Sequence, residues 1–130
     1  QRDLRHILTY DPNNASALNA LGYIMASNNQ NLDEAEQLIR KALALIPDDP
    51  AIMDSMGWVL YRQGHPEAAL PYLQNAMALY PDQEIAAHLG EVLWVLGEHE
   101  KAREVWERGL EEDPDSRLIP DTKRRLGATP

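Results

Sequence analysis

The chain has 130 residues, 44% of them hydrophobic and 25% charged, which suits one domain able to bury a core of its own. Its 21 acidic residues against 12 basic ones leave a formal charge of −9, which excludes the dense Lys/Arg surface that nucleic-acid binding needs to displace counterions. Without cysteine there is no disulfide, thiolate nucleophile or cysteine zinc site, and without 18 consecutive apolar residues this stretch does not insert into a membrane.

The chain starts on Gln1 rather than Met and reads as a fragment whose targeting segment lies outside it. Residues 1–13 form a truncated unit: Tyr10-Asp11-Pro12 stands 35 residues before Pro47 and matches the end of the blocks that follow. Leu4, Ile7 and Leu8 in this stub are apolar, and they are expected to be exposed where a preceding unit is missing. Self-association through the stub is one consequence.

Three whole blocks follow, over 14–48, 49–81 and 82–115. Their glycines fall at Gly22, Gly57 and Gly90, their alanines at Ala35, Ala69 and Ala102, and their closing prolines at Pro47, Pro81 and Pro114. Self-similarity at this period marks stacked supersecondary units. Each block predicts two helices. In block two Asp49 and Pro50 supply an N-cap and first-turn proline, and Met53, Met56, Gly57 and Leu60 share one face at helical spacing. Gln63-Gly64 ends this helix; a second begins at His65-Pro66-Glu67 and buries Ala69, Leu73, Ala76 and Met77. Gly57 faces Ala69, so that two backbones approach closely at the cost of the poor helix propensity of glycine, about 1 kcal/mol. Block one carries an extra residue in its turn, 27–31, with Asn29 where the later blocks have Gly64 and Gly97. Pro71 lies inside the second helix of block two, where a slight bend is expected. Residues 116–130 supply a closing helix and tail, and the basic run Lys123-Arg124-Arg125 reads as a solvated helix end.

The recurrent Leu-Gly (Met-Gly in block two), Ala and Pro positions resemble a tetratricopeptide repeat array over residues 1 to about 116. The resemblance implies an all-α fold: a right-handed superhelical array of antiparallel helix pairs, closed by a C-terminal capping helix. Departures occur where the family carries phenylalanine four after the alanine, since Ile39, Leu73 and Trp106 stand there, and at Gly109, which replaces the small alanine of Ala42 and Ala76 and is expected to loosen block three. Trp106 is expected to be buried. More narrowly, DLRHILTYDPNNASALNALGY, DSMGWVLYRQG and EIAAHLGEVLWVLGE are similar to the C-terminal repeats of proteobacterial tetratricopeptide lipoproteins, among them the outer-membrane adaptor of a periplasmic carboxyl-terminal processing protease. That likeness implies further repeats upstream and a periplasmic location, attached to the outer membrane through a lipidated N-terminus. The alternative location is cytoplasmic.

In this family the first helix of each block lines a concave wall. About 100° per residue puts Asp54, Trp58 and Tyr61 in a stripe roughly 80–140° from the buried centre. The equivalent places hold Asn19, Tyr23 and Ala26 in block one, and Ala87, Glu91 and Trp94 in block three. Ser55, Arg62, Glu84 and His88 lie beside the stripe, and Ile52, Val59, Ile85 and Val92 on the core flank. Groove exposure is favoured for Trp58 and Tyr23. For Tyr61 and Trp94, wedging between adjacent repeats competes with groove exposure and is favoured.

No catalytic residue, cofactor or metal is assigned. The histidines are scattered; His88 and Glu91 sit three apart on one helix without an evident third ligand. Nucleophile-elbow, P-loop and HExxH patterns are absent from the sequence. Glu100 with Arg103, and Glu104 with Arg108, read as solvated pairs. Family members that take acidic C-terminal tails use a basic clamp that is missing here, so an extended protein or peptide partner with apolar or basic side chains is expected. The reading is a non-catalytic adaptor or scaffold, at the cell envelope and assisting a protease. Its alternatives are the repeat arm of a larger enzyme such as a glycosyltransferase, or a cytoplasmic assembly scaffold.

Overall fold

The computed structural model describes residues 1–128; Thr129 and Pro130, the end of the expected tail, lie outside the described residues. Eight helices follow one another with no strand among the described residues: α1 (Arg2–Tyr10), α2 (Ala15–Ser27), α3 (Leu32–Leu45), α4 (Pro50–Arg62), α5 (Pro66–Leu79), α6 (Gln83–Val95), α7 (His99–Glu112) and α8 (Leu118–Leu126). None is long and apolar enough to cross a membrane.

The first helix of each pair is begun by its side-chain cap. Asn14, Asp49 and Asp82 accept from the backbone N–H of Ala17, of Ala51 and Ile52, and of Ile85. Each cap satisfies donors left over at a helix start, worth about 1 kcal/mol. The turns between paired helices also close alike. His65 N–H reaches Leu60 C=O, Glu98 N–H reaches Leu93 C=O, and Gln30 N–H reaches Met25 C=O, all at 2.9 Å. Gly64 and Gly97 sit there at φ +90° and +85°, and Asn29 takes the same place in the first turn at φ 54°. A left-handed residue is what this helix-ending motif requires. α5 runs unbroken through Pro71.

The pairs α2/α3, α4/α5 and α6/α7 stack on one another, and a continuous core threads them from Leu18 to Ala128. Ile52, Val59, Ile85, Val92 and Trp106 are all buried, as expected. The glycines set the helix spacing within each pair. A Cβ on Gly57 would lie 2.6 Å from Leu73 Cγ, and one on Gly22 2.6 Å from Ile39 Cγ1. Gly90 is tightest, with 2.0 Å to Nε1 of the fully buried Trp106.

Three expectations need correction. Gly109 does not loosen block three: a Cβ there would come within 2.5 Å of Ala86 Cβ and 2.7 Å of Ile119 Cδ1, because α8 packs over it. Leu4 and Leu8 are not exposed, since α1 folds onto α2 and half-buries them against the core; Ile7 and Tyr10 remain exposed. Neither Glu100–Arg103 nor Glu104–Arg108 is among the ion pairs of the described residues. Arg103 instead lies 5.3 Å over the Trp94 ring, where cation–π attraction competes with a solvated pair.

Gly90→Ala should lower the unfolding free energy by at least about 1 kcal/mol, because overpacking costs about 1–3 kcal/mol and exceeds the gain in helix propensity. Chemical denaturation followed by circular dichroism checks this. Unchanged stability would show that the Trp106 ring is free to move off α6.

Candidate functional site on α2, α4 and α6

The structure brings the candidate residues of α2, α4 and α6 together, but with one another rather than as an open wall. Asp54 and His88, 4% and 5% exposed, face each other between α4 and α6, with His88 Nδ1 2.9 and 3.0 Å from the two carboxylate oxygens. His88 Nε2 lies 3.4 Å from the hydroxyl of Tyr23 on α2, so that one imidazole links three consecutive repeats. Further along, Tyr61 donates to Glu91 at 2.7 Å, and Arg125 of α8 donates to both Glu91 oxygens. Glu91 is only 3% exposed.

Trp58 joins the two clusters. Its ring stacks on His88 at 4.0 Å and 20°, lies 5.2 Å from Tyr61, and carries the Arg62 guanidinium at 5.9 Å. It is 8% exposed and therefore does not face a groove. A helical wheel centres on the face that α4 turns to α5. In a stack, α4 also meets α2 and α6, and this second contact buries the flanking arc as well. Tyr61 is half-buried in the same contact. Trp94 does not join the site: it stacks on His99 at 3.7 Å and approaches Trp106 at 5.9 Å, both in its partner helix α7. It thus packs within its own repeat rather than between repeats.

What stays open is a pocket of about 340 Å³ at the N-terminal ends of these helices, lined among others by Asn19, Tyr23, Asp54, Ser55, Tyr80 and Glu84. None of its lining residues is Lys or Arg, whereas Asp49, Asp54, Asp82 and Glu84 all contribute. Asn19 Oδ1 is buried with no donor among the described residues. Ser55 is buried and donates to Ala51 C=O at 3.1 Å.

The electrostatics follow from burial and from these partners. Burial disfavours the charged imidazole of His88, but the charge of Asp54, its hydrogen bond, and the charges of Glu84 and Glu91 outweigh it, so its pKa is raised. Burial, then the charge of Glu84, pushes the Tyr23 hydroxyl well above its ordinary value; burial and the Glu91 hydrogen bond do the same for Tyr61. Both phenols are neutral at pH 7, and Tyr61 donates to Glu91.

Two residues take partners here that the sequence pattern does not show. Arg125 belonged to a run read as solvated, yet its head group pairs with the buried Glu91. His88 was set beside Glu91, its neighbour on the same helix, and its actual partner is Asp54 from the previous repeat. The available signal was a histidine in the run Ile85-Ala-Ala-His-Leu-Gly, where every other residue is apolar or small.

Comparison with known proteins agrees with the architecture. Two family models described as tetratricopeptide repeat match residues 13–82 and 55–117. The TPR repeat-containing protein PA4667 of Pseudomonas aeruginosa is 55% identical over 91 residues, which cover 70% of this chain and 15% of that protein. The human protein O-mannosyl-transferase TMTC1 is 32% identical over 105 residues, covering 77% of this chain and 12% of its own length. The chain therefore spans about one seventh or less of these relatives. The solved first TPR of Spaghetti (RPAP3), bound to HSP90 peptide SRMEEVD, superposes with a TM-score of 0.75 at 21% identity, over 87% of this chain and 92% of that one.

The Asp54–His88 pair makes stability depend on pH. His88 binds its proton more tightly folded than unfolded, so the contribution is full below about pH 6.5, the unfolded value, and is lost as pH rises through the higher folded value. Urea titrations in the presence of a chelator, compared with His88→Gln, should show this loss only in the parent protein; parallel curves would contradict a raised value. Trp58→Ala should cost about 3 kcal/mol of stability, as truncation of a buried indole does, whereas a groove-facing tryptophan would cost little.

Proposed function

Since the chain belongs to the tetratricopeptide repeat family, we propose that it is a non-catalytic protein-interaction module which holds an extended segment of a polypeptide partner, basic or apolar in character, against α2, α4 and α6. The observation that carries this is the pocket lined by Asn19, Tyr23, Asp54 and Glu84, with carboxylates on its wall and no basic residue among them. A related fold takes the peptide SRMEEVD, which carries two glutamates and an aspartate. The charge on the present wall is of the opposite kind to what such a peptide needs, and complementary charge steers and selects a partner. Trp58, buried on His88, is not a contact in this reading; Tyr23, Glu84 and Asn19 are.

For the parent protein we propose an adaptor or scaffold role at the bacterial cell envelope, assisting a protease, with attachment through a lipidated N-terminus. The support is the likeness of the DLRHILTYDPNN, DSMGWVLYRQG and EIAAHLGEVLW segments to envelope lipoproteins. A second reading, the repeat arm of a larger enzyme, is favoured by the 32% identity to a protein named as a transferase. Exposed Ile7 and Tyr10 on α1 leave self-association as a third use of the domain, which light scattering at several concentrations tests.

The direct test is fluorescence polarisation with a library of extended peptides matched in length and varied in charge, in buffer containing a chelator. Lys/Arg-bearing peptides should bind and Asp/Glu-bearing ones should not. Glu84→Lys should weaken binding about tenfold, equal to about 1.4 kcal/mol. Preference for acidic peptides, or no effect of Glu84→Lys, would overturn the reading.

A further inference from the structure

We propose that Asp54, Glu84 and His88 form a site for a divalent transition ion of the zinc class, which ties α4 to α6 across the boundary between two repeats. One donor atom from each residue lies within 4.8 Å of the other two. Asp54 comes from α4; Glu84 and His88 come from α6, where a separation of four puts both on one face a single turn apart. Zinc is held by nitrogen and carboxylate oxygen donors at about 2.0–2.2 Å, so its donors sit about 3.3 Å from one another. His88 Nδ1 and Asp54 stand at 2.9 Å and need open only by about 0.4 Å to admit it. Glu84 lines the pocket and is the long, least confined member, and its side chain supplies the remaining approach.

The surroundings fit an ion. Metal-bound histidine keeps its orientation by donating the other ring N–H to an oxygen, and Tyr23 Oη lies 3.4 Å from His88 Nε2 in that role. The pocket opens onto Asp54 and Glu84, so that water reaches the remaining coordination positions. Asn19 Oδ1 in the same wall is a buried acceptor without a donor, and a water on the ion is a donor of the right kind.

The site stands independently of peptide binding, although ion and basic segment compete for Glu84. The test uses chelator-stripped protein without peptide, titrated with zinc chloride by calorimetry and followed by thermal melting. The unaltered chain should take up one ion and melt higher with it. Glu84→Gln, at the pocket rim, should weaken uptake at least about tenfold, and His88→Asn should abolish it. His65→Asn/His99→Asn, two exposed histidines elsewhere, should leave it unchanged. Absence of uptake by the unaltered chain, uptake unaffected by Glu84→Gln, or uptake lost in the His65/His99 variant would each overturn the site. Peptide titrations in chelator remain valid in every case, so either reading can fail alone.

Discussion

Each repeat depends on a contact in which a bulky side chain rests directly on the backbone of the facing helix. Ile39 lies on Gly22, Leu73 on Gly57 and Trp106 on Gly90, and in every case a single Cβ would occupy space the side chain already fills. This sets the distance between the two helices of a pair, and the distance between pairs follows from it. The series also shows how one backbone position accommodates different partners. The apolar group grows from Ile39 and Leu73 to the indole of Trp106, and the glycine stays. Gly109 extends the principle to the C-terminal end, where Ala86 and Ile119 occupy the space and α8 closes the core.

Where pair meets pair the chemistry changes. The contact within a pair is apolar, whereas the seam along α2, α4 and α6 contains Tyr23, Asp54, His88, Tyr61 and Glu91, with Arg125 arriving from α8. Buried charges tolerate few partners, because an unmatched one costs several kcal/mol. The seam is therefore specific in register: His88 fits between Asp54 and Tyr23, and Arg125 fits Glu91. Trp58 covers the His88 ring and bridges the two clusters. The carboxylates that remain near water collect at one end of the seam, in the pocket that Asp49, Asp82 and Glu84 surround. A surface that binds through this end presents negative charge from two repeats at once.

Much of the fold is legible in the sequence, for physical reasons that lie close in the chain. The cap at Asp49, the left-handed turn positions at Gly64 and Gly97, and the apolar faces of α4 and α5 are properties of a few neighbouring residues each. Even Asn29 was correctly aligned with the turn glycines, since asparagine tolerates φ > 0 better than other side chains. The groove was less legible. A wheel drawn for one helix knows one contact face, and α4 has two, so Trp58 was turned outward when it is buried.

What the sequence by itself determined is thus the repeat: its period, its helix ends and the glycine contact within each pair, all of which depend on residues less than about 35 apart in a regular pattern. The tertiary structure alone decided the partners across repeats. Asp54 meets His88 and Glu91 meets Arg125 only because stacked pairs superimpose positions 34 residues apart, offset by one place in the repeat register. Periodicity specifies which face a residue occupies, but the side chain it touches there is settled by how closely the neighbouring pair approaches.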